Sequence, residues 1–70
     1  MTISYNKLWK LLIDRGLKKT ELAKLSGITS NAMAKMGRNE SVQVDTLRKV
    51  CSALNCNVGD IMEFVPGKTR

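Results

Sequence analysis

A chain of 70 residues holds one hydrophobic core and not two, and a core of that size leaves only a small net stability, so that support from a partner is expected. With 43% apolar and 26% charged residues the composition is globular and excludes a disordered chain, while no apolar run nears the roughly 20 residues of a membrane span and MTISYNKLWK lacks a signal peptide's apolar core, so the expected location is cytoplasmic. Twelve Lys and Arg against six Asp and Glu give a net charge of +6 and an isoelectric point of about 9.8, which points to polyanions as partners, the alternative being a basic surface that serves solubility.

The predicted elements follow in chain order, divided at glycines and small polar clusters. A first helix is expected over residues 5–15, with Leu8, Leu11, Leu12 and Ile13 at helical spacing. Its buried stripe is Leu8, Leu11 and Leu12, with Trp9 at the margin, and Gly16 stands at its stop, where a left-handed residue is favoured. The second helix covers residues 19–26, turns Leu22, Ala23 and Leu25 inward, and halts at Gly27. Thr29 can cap a third helix over residues 30–38 through its hydroxyl, with Met33 and Met36 on the inner face and Asn39 as the left-handed residue that closes it.

Residues 40–43 read as a surface loop. Leu47, Val50, Cys51 and Leu54 then mark i, i+3, i+4 and i+7 on a fourth helix. Cys51 and Cys56 have neither zinc-ligand nor CxxC spacing and histidine is absent, so no metal or cofactor is expected and Cys51 reads as a small core residue. After a turn through Asn55 and Cys56, Asn57 and Asp60 suggest the cap of a fifth short helix, with Ile61, Met62 and Phe64 on its apolar side. Residues 66–70, including Lys68 and Arg70, read as a basic tail of a single domain spanning 1–70. No strand alternation is evident.

The stretch KTELAKLSGITSNAMAKMGRN, residues 19–39, is the most informative. Two short helices joined by a tight turn need a small residue where they cross, a glycine at the turn and apolar anchors, and Ala23, Gly27, Leu22, Ile28, Met33 and Met36 supply them. This pattern resembles the DNA-binding helix-turn-helix of the Cro and CI phage repressors, the XRE family, and the resemblance extends over residues 5–64. It implies an all-α, compact five-helix lambda-repressor-like DNA-binding domain, with the helix-turn-helix at about 19–38. The sequence departs from the family's habits at Ser26, often apolar there, at Asn39, usually glycine, and at Leu12 and Gly37, where an Arg–Glu pair is common. Losing both members of a buried pair can be neutral, because such a pair roughly cancels its own desolvation.

What the resemblance implies for function is a small transcriptional regulator, a repressor, that reads double-stranded DNA with its third helix in the major groove. Ser30, Asn31 and Lys35 match the base-reading positions, Asn31 to pair with an adenine and Lys35 to donate to a guanine, and Ala34 is a further candidate base contact, to meet a thymine methyl. Phosphate contacts are expected from Lys18, Lys19 and Thr20 at the start of the second helix, flanked by Thr29 and Arg38, with Lys7, Lys10 and Lys24 adding to the general field. A homodimer on a near-palindromic site is expected, its surface formed by Met62, Phe64 and Val65; the alternative is that Phe64 closes its own core. Nothing suggests an enzyme: there is no histidine, no glycine-rich phosphate loop, and no nucleophile spaced from a base. A protein-binding module, such as the antitoxin of a toxin pair, is the competing class, and few aromatics argue against single-stranded RNA.

Overall fold

Four α-helices and a two-stranded antiparallel sheet make up residues 1–66, the part of the chain that this computed structural model describes. In chain order they are β1 (Thr2–Ser4), α1 (Asn6–Asp14), α2 (Lys19–Ser26), α3 (Ser30–Gly37) and α4 (Val44–Leu54), then a 3₁₀ turn at Val58–Asp60 and β2 (Glu63–Val65). Lys68 and Arg70 of the expected basic tail lie outside the described residues.

Each helix stops where the chain swings into the left-handed region. Gly16 (φ 66°) and Gly27 (φ 74°) follow the first two helices, and Asn39 (φ 58°) and Asn55 (φ 54°) do the same after α3 and α4. At Asn55 the next amide, Cys56 N–H, reaches back 3.0 Å to the Cys51 carbonyl and closes the last turn of α4.

The core is drawn from every helix and from both ends of the chain. Leu8 and Leu12 from α1, Leu22 from α2, Met36 from α3, and Val50 and Leu54 from α4 form one buried cluster with Tyr5, Ile28 and Ile61. Leu12 packs there in full, and a Cβ on Gly37 would meet nothing within 4 Å. No charge is therefore stranded at either position. Ser26, half-buried, donates its hydroxyl to the Leu22 carbonyl at 2.7 Å and so enters a region that is often apolar without an unpaired polar atom.

One inward assignment is corrected: Leu25 is 61% exposed, and Ile13, outside the expected stripe of the first helix, is 77% exposed. At about 100° per residue, Leu8 and Leu12 centre the buried face of α1 such that Ile13 falls roughly 100° round the helix, and Leu22, Ala23 and Ser26 displace Leu25 by a similar angle.

The fifth helix is also corrected. The Asn57 N–H does donate to the Asp60 carboxylate at 3.0 Å, but the turn lasts only from Val58 to Asp60. Beyond it the chain extends, and β2 pairs with β1 in the register Thr2↔Val65, Ile3↔Phe64 and Ser4↔Glu63. Ile61 keeps its expected place in the core, Met62 is half-buried, and Phe64 stands on the strand 63% exposed, so it does not close its own core.

Cys51 packs half-buried against the core and its thiol is free. Burial, with the neighbouring Cys56 and Asp60 adding to it, pushes that thiol up to about 11.

Candidate nucleic-acid interface

The arrangement of α2 and α3 follows from the turn between them. Gly27 N–H returns 2.9 Å to the Ala23 carbonyl and its left-handed backbone reverses the chain, Ile28 drops into the core, and Thr29 opens α3 in extended conformation. The Thr29 hydroxyl oxygen accepts the Ala32 N–H at 3.0 Å. Capping uses that hydroxyl only as an acceptor, which leaves its hydrogen available to donate to another group.

With Met36 buried and Ala32 and Met33 half-buried, the opposite side of α3 is left to solvent. Ser30, Asn31 and Ala34 are exposed on it, and Lys35 is half-buried at its edge. Three of the four candidate base contacts are thus free to approach a ligand, and the fourth leans over a cleft of about 330 Å³ between α3 and the start of α4. Thr29, Asn31 and Lys35 line one side of this cleft, and Gln43, Thr46 and Lys49 the other.

At the N-terminus of α2, Lys18, Lys19 and Thr20 are all exposed. The Lys18 N–H is satisfied by the Glu21 carboxylate at 2.9 Å, which secures the first turn. Lys19 is held more specifically: its ammonium lies 4.3 Å from the centroid of the Trp9 ring, a cation–π contact linking α1 to α2.

Arg38, just beyond α3, is exposed like the other candidate phosphate contacts, but its Nε donates to the Glu40 carboxylate at 2.7 Å. That hydrogen bond, with the guanidinium's charge and that of Lys35, holds the Glu40 carboxyl below the usual carboxylate range. Two other cations are bound elsewhere. Lys7 donates to the Gly59 carbonyl at 3.2 Å, and Arg15 donates to the Leu54 carbonyl at the end of α4.

A family model for the Cro/C1-type HTH DNA-binding domain matches residues 7–67. The chain belongs to this family. Among relatives of this Cro/C1-type domain is the uncharacterized HTH-type transcriptional regulator YozG of Bacillus subtilis (strain 168), 36% identical over 56 residues that make up 77% of this chain and 67% of YozG. The crystal structure of the transcriptional regulator VanUg superposes with a TM-score of 0.90 at 50% identity, over 94% of this chain and 88% of that one. The protein is a DNA-binding regulator with a mostly helical fold and a small hairpin. Among the described residues of the domain, no helix is long and apolar enough to cross a membrane.

Sequence reasoning misses part of the surface beside α3 of this Cro/C1-type domain. Gln43 reads as loop, and Thr46 and Lys49 fall outside the apolar stripe of the fourth helix, yet all three share the cleft with Asn31 and Lys35. Lys49 is drawn toward Asp45 at 3.7 Å, and Asp45 also takes Arg48 at 2.8 Å. The one available signal is Gln43 itself, a polar residue immediately before an apolar-periodic helix.

Proposed function

We propose that the protein is a sequence-specific repressor that binds duplex DNA as a homodimer, with α3 of each copy in the major groove. The observation that carries this reading is the outer face of α3, where Ser30, Asn31 and Ala34 are exposed while Met36 anchors the other side of the same two turns. An α-helix fits the major groove, and its N-terminal residues reach base edges. Asn31 is suited to adenine N6 and N7, Lys35 to guanine O6 and N7, Ala34 to a thymine methyl, and Ser30 to either partner of a pair.

The phosphates are met from both ends of this unit. Lys18, Lys19 and Thr20 offer charge and a hydroxyl beside the free amides that begin α2, and Thr29 can donate its hydroxyl hydrogen while it caps α3. Arg38 contacts the backbone from the other end of α3. The helix-turn-helix at about 19–38 and its supporting helices act as a single domain.

Two copies are needed because one such module touches few base edges, and linked half-sites combine their contacts. Phe64 with Met62 and Val65 supplies the surface that joins them. Binding over a promoter then blocks transcription. Selection from a random duplex pool tests the reading: an enriched near-palindromic motif with half-sites about 10 bp apart is expected, and cloning that motif over a promoter should lower its output when the protein is expressed. A pool that enriches no motif, or preference for single-stranded RNA over every duplex, would contradict it.

A further inference from the structure

Glu40 is the only acidic residue between the start of α3 and the start of α4, and its carboxylate sits on Arg38. We infer that Glu40 is an internal stand-in for a DNA phosphate on the Arg38 guanidinium, a built-in competitor that limits the protein's sequence-independent grip on duplex DNA. This rests on the DNA-binding reading above and deepens it.

The backbone that carries Glu40 is fixed from several sides. Asn39 turns the chain through the left-handed region, and the Glu40 N–H donates to the Lys35 carbonyl at 2.9 Å. Tyr5, fully buried, donates its phenol to the Glu40 carbonyl at 2.9 Å, and its N–H donates to the Asn39 side-chain oxygen at 3.2 Å. The N–H and the carbonyl of residue 40 are thereby both engaged, and the carboxylate is left within reach of Arg38 at 2.7 Å, with Lys35 nearby to attract it.

The side chains of this pair are otherwise open, 58% exposed at Arg38 and 49% at Glu40, so a phosphate oxygen can reach the guanidinium from solvent. An exposed pair is weak and readily exchanged. A phosphate that takes the guanidinium must displace the carboxylate, and the displaced charge stays beside the DNA backbone and repels it. Neither effect depends on base sequence. Affinity for every duplex is therefore lowered by a similar factor, and a protein of net charge +6 is held back from occupying arbitrary duplex.

The test is Glu40→Gln, which keeps the shape of the side chain and removes its charge. Binding to a random-sequence duplex and to the selected site should both tighten by roughly threefold to tenfold at low salt, with the logarithmic salt slope steeper by about one. In an Arg38→Ala background the gain should fall to less than half, the part left by removing a charge that repels the backbone, and Asp14→Asn, the same change in charge at the end of α1, should also give less than half of it. Circular dichroism melting of every variant establishes that each is folded; if Glu40→Gln is not, Glu40→Ala replaces it. Unchanged binding by the folded variant, a gain undiminished without Arg38, or a gain confined to one base sequence would each overturn the inference. Failure of the unaltered protein to retard any duplex at low salt would instead sink the DNA-binding reading itself.

Discussion

Lys19 shows how one contact can prepare a side chain for a ligand. A free lysine loses much rotamer freedom on meeting a phosphate, and the Trp9 ring, 4.3 Å from the ammonium, has already restricted it. Lys19→Ala should weaken binding to all duplexes alike and flatten the logarithmic salt slope by about one, as expected of a contact that releases counterion without reading sequence. A titration over salt concentration checks this, and an altered base preference with an unchanged slope would contradict it. Sequence alone puts Trp9 at the margin of α1, where it lies, but nothing in the spacing pairs it with a residue across the turn. Cys51 offers a pH test. Its thiol is raised to about 11 from an ordinary 9.0, so its contribution to stability is present below pH 9 and is lost as pH climbs toward 11. In urea unfolding, Cys51→Ala should therefore lose less stability over that window than the unaltered protein.

Among the elements, those with local signals are the legible ones. The bounds of α2, Lys19–Ser26, match the expected ones because a turn glycine and a first-turn Glu are local features, and the Thr29 cap forms as its position implies. The hairpin is not legible. Strands of three residues are too short to display alternation, and the partner of Ile3 is Phe64, at the far end of the chain. Ile61, Met62 and Phe64 meanwhile mimic a helical side. Tyr5 gives no sign of its role either: one aromatic before a helix does not reveal that its phenol will be buried and tie down the loop after α3. Two glycines give a paired prediction. A Cβ added at Gly27 or at Gly37 would find nothing within 4 Å, so Ala at either site differs only through backbone preference. Gly27→Ala, at φ 74°, should cost about 1 kcal/mol, whereas Gly37→Ala, at the end of α3, should stabilise by about 0.5–1 kcal/mol. Thermal melts with the same sign for both would contradict this account of the turn.

At the scale of the whole molecule, the exposed Phe64 is the feature that bears on assembly. A small domain seldom leaves a large aromatic in water when its core could use it. Phe64 is 63% exposed beside half-buried Met62 and Val65, and it pairs in register with Ile3. Sedimentation of the free protein and of its DNA complex should show two copies per near-palindromic site, and Phe64→Ala should weaken the pairing while the monomer stays folded. A dimer indifferent to that change would move the interface to another surface.

Base reading by the outer face of α3 is tested most directly by measuring how the unaltered protein, Asn31→Ala and Lys35→Ala bind the selected site and the same site changed one base pair at a time. Each variant should lose about 1–3 kcal/mol on the intact site, become indifferent to the identity of one base pair, and melt within a few degrees of the unaltered protein. Full affinity and unchanged discrimination in both variants would contradict that role and remove α3 as the reading element.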